Sequence, residues 1–175
     1  PQTNFQTADY FPGVVGDEVP RLSDIRVPIK ASNILPLAYH LHQDAKHRVQ
    51  MTGLYAAPGE VVRIQAPMNA LGQGIEVRVG IHDEQYDIWP IQQRFPRVLS
   101  RFQLKSESLE VANPFGGAIL FLIPVGLDLG EIEMNISGAV AAPSFFANQQ
   151  IQTTVDAWEN IKNTRVPWAQ MVGQK

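Results

Sequence analysis

Hydrophobic and polar residues alternate over several short segments of this chain. The clearest alternation runs from Ile75 to His82, where every second residue is isoleucine or valine. Successive side chains of a β-strand point to opposite faces, so this pattern predicts a strand with one buried and one solvated face, as in antiparallel sheets. Weaker alternations predict further strands over Asp24–Lys30, Met51–Ala56, Glu60–Ala66, Val98–Lys105 and Glu131–Ser137.

The segment from Val111 to Pro124 has a different pattern, with no alternation at all. A turn sequence, Asn-Pro-Phe-Gly-Gly at 113–117, leads into the most apolar run of the chain, Ala118 to Ile123, and Pro124 ends it. A run of this length is too short to span a membrane. It is typical of a strand buried on both faces, bounded by residues that interrupt sheet ladders. We therefore predict a central strand here.

These strands are separated by turns that contain proline or glycine, which predicts a mostly β protein. We expect an antiparallel β-sandwich, jelly-roll-like, with a short C-terminal helix. Thr153 or Thr154 can cap that helix, which would carry Val155, Trp158 and Ile161 on one side. In the first strand, Pro28 predicts a sheet edge, because proline has no N–H for a ladder.

The same patterns divide the chain into three parts. Residues 1–49 are predicted as an extended lead-in with the first edge strand, and residues 50–146 as the sandwich domain. Residues 147–175 are predicted as the short helix and a linker towards a following domain. Because the sequence starts at Pro1 without a secretory leader, we interpret it as a processed or excised piece of a longer product.

Composition narrows the classes of function. The chain has 175 residues, of which 45% are hydrophobic and 18% charged, and a net charge of -3. This balance is typical of a globular protein and gives no basic patch for nucleic acid. The absence of cysteine excludes disulfides, thiolate zinc sites and a cysteine nucleophile.

The densest set of metal-capable side chains lies in residues 33–48, which fit either a short helix or a loop. It comprises His40, His42, Asp44 and His47. Neither a strand nor a helix brings all four to one face, and the His-Glu-x-x-His form of zinc peptidases is missing. We expect a solvated loop here, with no metal or cofactor site in this piece.

The loop from His82 to Pro96 is the best candidate for contact with a ligand or partner. Aromatic and polar side chains of the kind that stack on sugar rings or anchor protein interfaces occur together in it. The predicted contact residues are His82, Asp83, Tyr86, Trp89 and Arg94. The alternative is that Trp89 and Phe95 fold back and cover one open end of the sandwich. The acidic residues of this loop are expected to be ordinary solvated carboxylates, so we predict no catalytic residue.

Six short motifs occur in an order that resembles one known family. They are Met-Thr-Gly-Leu-Tyr-Ala-Ala-Pro-Gly-Glu (51–60), Val-Arg-Val-Gly-Ile-His-Asp (77–83), Arg-Phe-Pro-Arg-Val (94–98), Ala-Asn-Pro-Phe-Gly-Gly (112–117), Ser-Gly-Ala-Val-Ala-Ala-Pro-Ser-Phe (137–145) and Val-Pro-Trp-Ala-Gln-Met (166–171). Together they resemble the enhancin-like, mucin-degrading zinc metallopeptidases, the M-sixty peptidases.

The resemblance implies a role for this piece within a larger enzyme. In that family the region resembles the β-sandwich that precedes and packs against the catalytic zincin domain. The catalytic His-Glu-x-x-His helix lies beyond this sequence, so no zinc ligand can be assigned to a residue here. The resemblance implies a secreted parent metallopeptidase acting on mucin-like O-glycosylated proteins, with zinc in its catalytic domain. This piece alone would be a non-catalytic accessory domain.

Two other readings stay open. The domain can be a freestanding module that binds a glycan or a protein through the 82–96 loop. It can also be an interaction domain, because some relatives of this family regulate other proteins. No nucleic-acid partner and no membrane span are expected.

Overall fold

A computed structural model describes residues 5–34, 46–83, 90–91, 95–147 and 152–173. The strands within these ranges are β1 Ile25–Ser32, β2 His47–Ala56, β3 Val62–Gln65, β4 Glu76–Val79, β5 Ser100–Gln103, β6 Ser108–Val111, β7 Gly117–Pro124, β8 Asp128–Ser137, β9 Val140–Ala141, β10 Ser144–Phe146 and β11 Gln170–Val172. The helix α1 spans Val155–Ile161, and Gln6–Asp9 and Met68–Ala70 form short 3-10 turns. No helix in the described ranges has the length and apolar character to cross a bilayer.

Two antiparallel sheets form the body of the molecule, which confirms the predicted sandwich. One sheet has the strand order β1-β8-β3-β6 and the other β5-β4-β7-β2-β9. As Pro28 predicted, β1 lies at an edge. A small third sheet pairs β10 with β11 in parallel, an arrangement that the sequence patterns did not predict.

The predicted central strand, β7, lies in the middle of the five-stranded sheet. Ile119, Phe121 and Ile123 point into the space between the sheets and are fully buried there. Met134 and Ile136 of β8 face them from the other sheet. Burial of each such side chain contributes roughly 1.5–3 kcal/mol, so β7 is a main source of stability.

The opposite face of β7 is also buried, because segments from both ends of the chain cover it. Ala118 and Leu120 pack in a second cluster with Val15 and Val19 from the N-terminal segment. Val166 and Trp168 from the C-terminal segment pack against the same cluster. An antiparallel sheet commonly leaves one face to solvent, and this cover explains why β7 is apolar on both faces. The three-part division of the chain stays a prediction.

The outer face of the four-stranded sheet is polar instead. Ion pairs join neighbouring strands there, with Arg63 Nη2 2.8 Å from Glu110 Oε1 and Arg26 Nε 3.7 Å from Glu133 Oε1. All four side chains are more than half exposed. Exposed pairs of this kind contribute less than about 1 kcal/mol each, so this face favours solubility more than stability.

The predicted C-terminal helix is confirmed. Thr154 is its N-cap, with Oγ1 accepting a hydrogen bond from the N–H of Ala157 at 3.1 Å. Asp156 lies in the first turn, where a negative charge suits the helix dipole. None of the helix residues is fully buried, and Val155 is 72% exposed.

Candidate functional site

The loop predicted to make contacts leaves the sandwich at the end of β4, where two glycine backbones touch. A Cβ on Gly117 would lie 2.4 Å from Gly80 Cα, and one on Gly80 would lie 2.6 Å from Val98 O. Gly80 also has a φ of 103°, in the region that favours glycine. The sequence pattern predicted a strand from Ile75 to His82, but the observed strand β4 ends at Val79. This close approach determines the point at which the loop begins.

Asp83 connects the two ends of the loop. Its Oδ1 lies 2.6 Å from Arg97 Nε, and its Oδ2 lies 3.8 Å from Arg101 Nη2. A single backbone bridge also pairs Asp83 with Arg97. The side chain of Asp83 is 20% exposed. The residue predicted as a ligand contact therefore also anchors the base of the loop.

Arg101 extends these contacts along the outer face of β4 and β5. Its Nη1 lies 3.9 Å from Glu76 Oε2, while Glu76 Oε1 accepts a hydrogen bond from Gln103 Nε2 at 2.6 Å. Arg101 thus lies between two carboxylates, those of Glu76 and Asp83. This chain of polar contacts joins the sheet to the loop.

His82 packs between aromatic side chains from both ends of the chain. Its ring centroid lies 4.4 Å from that of Phe11 and 4.7 Å from that of Trp168. The indole Nε1 of Trp168 donates a hydrogen bond to Pro12 O at 2.9 Å. His82 is half-buried as a result. The other described member of the predicted site therefore holds the terminal segments against the sheet.

A cavity of about 10 Å³ lies beneath His82. Tyr55 and Trp168 are among its lining residues. The hydroxyl of Tyr55 has no hydrogen-bond partner among the described residues, and burial raises the pKa of this phenol well above its usual value. A space of this volume suits a single water molecule. This cavity is therefore too small for a sugar ring.

The far end of the loop packs on the N-terminal segment through Phe95. Its ring centroid lies 6.3 Å from that of Phe5 and 5.4 Å from that of Phe115. Phe95 remains 55% exposed. The alternative hypothesis, in which Trp89 and Phe95 cover one end of the sandwich, stays a prediction.

The remaining predicted contact residues, Tyr86, Trp89 and Arg94, lie outside the described residues. Of the five predicted contact residues, the structure describes His82 and Asp83, at the base of the loop. The five-residue contact site stays a prediction.

The histidine-rich segment is described only at its end. His47 begins β2 opposite Pro124 of β7. His40, His42 and Asp44 lie outside the described residues. In the part of the chain that the structure describes, no three histidine, aspartate or glutamate side chains form a group that could hold a metal ion.

A second concave surface lies between residues 14–18 and the turn at Ala57 and Pro58, with a volume of about 370 Å³. Arg21 lies in it and binds Glu60 through two hydrogen bonds, Nε–Oε2 at 2.9 Å and Nη2–Oε1 at 2.5 Å. The hydrogen bond to Glu60 raises the pKa of the Arg21 guanidinium. The two charges neutralise each other and hold the N-terminal segment on the sandwich.

Two buried side-chain amides, those of Asn113 and Gln170, connect segments that are distant in sequence, and the sequence patterns predicted neither role. Asn113 Nδ2 donates to the carbonyls of Val79 and Val98 at 2.9 and 3.1 Å, which ties the end of β4 to the end of the loop. Gln170 Oε1 accepts from the N–H of Gly53 at 2.9 Å, where β2 is irregular. The Asn-Pro-Phe-Gly turn marked Asn113 as a turn residue. No local signal marks Gln170, because its partners are remote in sequence.

Comparison with known proteins gives a match over most of the sandwich. Residues 20–137 match the family model described as the N-terminal domain of M60-like peptidases. A TRPM8 channel-associated factor homolog from Xenopus laevis is 30% identical over 122 residues, which are 69% of this chain and 13% of the relative. A homolog from Danio rerio is 31% identical over 121 residues, again 69% of this chain and 13% of the relative. The chain therefore spans only a small part of the curated relatives that it matches.

Solved structures share the fold. The IMPa metallopeptidase from Pseudomonas aeruginosa superimposes with a TM-score of 0.62 and 17% identity, over 88% of this chain and 17% of that one. The same enzyme in complex with an O-glycopeptide gives a TM-score of 0.60 and 16% identity, over 90% and 18%. At such identities the likeness supports the fold alone. Because the family model covers more than half of its residues, this chain belongs to the family of the N-terminal domains of M60-like peptidases.

Proposed function

We propose that the chain is a non-catalytic accessory domain of a secreted zinc metalloendopeptidase that acts on mucin-like O-glycosylated proteins. The observation that carries the proposal is the family match over residues 20–137, because that family is defined as the part preceding the rest of a peptidase. Zinc would be bound in the following catalytic domain. The domain described here would support that catalytic domain and help to position the substrate.

The base of the 82–96 loop supports a positioning role. Asp83, Arg97 and Arg101 close the loop, and Asn113 ties its end to β4. A binding site needs side chains whose supports are themselves held by packing and hydrogen bonds. A loop held in this way can present Tyr86, Trp89 and Arg94 to a glycosylated substrate.

The proposal is tested on the full-length protein that contains this chain. We expect stoichiometric zinc and cleavage of an O-glycosylated mucin peptide. Both should be weakened when the second histidine of the following His-Glu-x-x-His motif is replaced, because it is a zinc ligand. The control is the 175-residue chain, which should bind no stoichiometric zinc and cleave nothing. A full-length protein that lacks the motif, or stoichiometric zinc on the control chain, would contradict the proposal.

A second candidate is a module that binds a glycan or a protein without a peptidase partner. It is favoured by the curated relatives that are named channel-associated factors, a name that states association rather than hydrolysis. In this case the 82–96 loop would be the binding surface, with the aromatic ring of Trp89 as its anchor.

Trp89→Ala tests that candidate. Loss of one stacked aromatic side chain should weaken binding of a mucin glycopeptide by about tenfold in calorimetric titration, since such contacts contribute roughly 1.4 kcal/mol. Tyr10→Ala is the matched control, because Tyr10 is an aromatic residue that is 91% exposed outside this loop. Unchanged binding by Trp89→Ala would remove the loop from consideration.

A further inference from the structure

The small β10–β11 sheet has one face packed against the sandwich and one face turned away from it. On the inner face, Phe146 is 8% exposed and Gln170 is 4% exposed. A Cβ on Gly53 would lie 3.2 Å from Ser144 Oγ and 3.3 Å from the Phe146 ring, so both side chains point at β2. Gln170 Nε2 also donates to Leu54 O at 3.0 Å. The inner face is therefore anchored on the sandwich.

The outer face is apolar, and its side chains range from half-buried, at Phe145 and Trp158, to exposed, at Met171 and Val155. Phe145 and Met171 are direct partners in the parallel ladder, so they lie side by side on the face that points away from β2. Met171 is 70% exposed. The ring of Trp158 contacts Phe145 edge to face, with centroids 6.0 Å apart. Val155, three residues before Trp158 on α1, is 72% exposed and lies on the same side of the helix.

We call the surface formed by Phe145, Met171, Val155 and Trp158 the outer apolar face. The helix that contributes to it has only seven residues and no fully buried one. Isolated helices of this length are marginal in water and depend on packing for their stability. Within the described residues, Phe145 is the ring that packs on Trp158. A partner that covers this face would supply the packing that α1 lacks.

The family match, and the small share of its relatives that the chain covers, indicate that this partner is a following domain of the same chain. The match is to an N-terminal domain, and the chain spans 13% of the curated Xenopus relative and 17% of the IMPa chain. β11 ends at Val172, one residue after Met171. A domain that continues from this strand starts beside the outer apolar face, and a short connection gives it a high effective concentration there.

We propose that the outer apolar face is the surface on which the following domain of the same chain docks. The inference rests on the proposed function, because it takes the domain after this one as the occupant. Docking there would fix the orientation of the two domains through α1 and β11. The 82–96 loop would then keep a constant position relative to the following domain.

The test uses the full-length protein and two substitutions. Met171→Asp places a charge in the middle of the face. Val155→Asp places one on α1 at its first position, where an acidic residue suits the helix dipole and keeps the helix stable. The control is Met68→Asp, because Met68 is 76% exposed in the turn between β3 and β4.

Limited proteolysis of the segment after Val172 is the measurement. Cleavage tracks the fraction of molecules with undocked domains, so both Asp variants of the face should raise its rate at least about tenfold. Met68→Asp should leave the rate unchanged. Equal rates in all variants would overturn the proposal. Mass measurement in solution accompanies the test, and a dimer that Met171→Asp dissociates would assign the face to a second copy and also overturn it.

The cleavage readout needs no peptidase activity, so the two proposals can fail separately. A protected segment in a protein without zinc or peptidase activity would contradict the proposed function alone. If the protein has peptidase activity, but Met171→Asp and Val155→Asp do not change the rate of limited proteolysis after Val172, the docking surface alone is contradicted.

Discussion

Asn113→Ala is the substitution that most directly tests how the base of the loop is held. Asn113 is 2% exposed, and its side chain makes three hydrogen bonds. Nδ2 donates to the carbonyls of Val79 and Val98 at 2.9 and 3.1 Å. Oδ1 accepts from the N–H of Phe115 at 3.0 Å. Alanine removes all three and leaves their partners in a buried place.

The expected loss of stability follows from these three bonds. A net contribution of about 1 kcal/mol for each gives a fall of about 3 kcal/mol in the free energy of unfolding. For a chain of this size, that corresponds to a melting temperature lower by about 6–12 °C. Asn113→Asp should be at least as destabilising at neutral pH, because it replaces the two donors with an oxygen facing the carbonyls of Val79 and Val98.

Urea unfolding followed by fluorescence measures this change. With a slope of about 2 kcal/mol per molar urea, the midpoint of Asn113→Ala should fall by about 1.5 M. Asn160→Ala is the control, because Asn160 is exposed on α1 and its replacement should change stability by less than about 0.5 kcal/mol. A loss of less than about 1 kcal/mol for Asn113→Ala, at an unchanged slope, would refute the reasoning.

Three further substitutions test other contacts. Gln170→Ala should cost about 2 kcal/mol and speed amide exchange at Gly53, because two buried hydrogen bonds are lost; exchange measured by NMR that stays slow at Gly53 would contradict this. Gly117→Ala should lower the melting temperature far more than the control Gly130→Ala. Both glycines have a positive φ, but of the two only Gly117 would bring a Cβ against backbone atoms. Equal shifts of the melting temperature would show that this contact relaxes. Arg97→Ala should cost less than about 1 kcal/mol in dilute buffer and less still in 1 M salt, because the Arg97 side of its ion pair with Asp83 is 60% exposed and open to screening by salt. A larger loss that persisted in salt would contradict this reasoning.

The parts of the fold that the sequence predicted are those with local signals. The Thr154 cap and the proline and glycine turns are signals carried by residues close together in the sequence. Because of them, α1 and most strands of the sandwich could be predicted. The central strand was predicted from its apolar run, and β7 confirms it. Pro28 marked an edge strand because the chemistry of proline alone decides that position.

The parts that could not be predicted depend on partners far apart in sequence. β10 and β11 are three residues each, too short for a period, and they pair across α1. His82 looked like a surface residue because nothing near it shows that Phe11 and Trp168 will enclose its ring. β6 was not predicted because its sequence is largely polar, and its position as a strand depends on pairing with β3.

The cover on the outer face of the five-stranded sheet bears on how this domain can be moved between proteins. The family match begins at residue 20 and ends at 137, yet Val15, Val19 and Trp168 lie outside those bounds and shield Leu120. A piece limited to residues 20–137 would expose the apolar outer face of this sheet to water, and copies of it would be expected to associate. A transferable unit therefore extends beyond residues 20–137 at both ends, and both end segments have to be included in it.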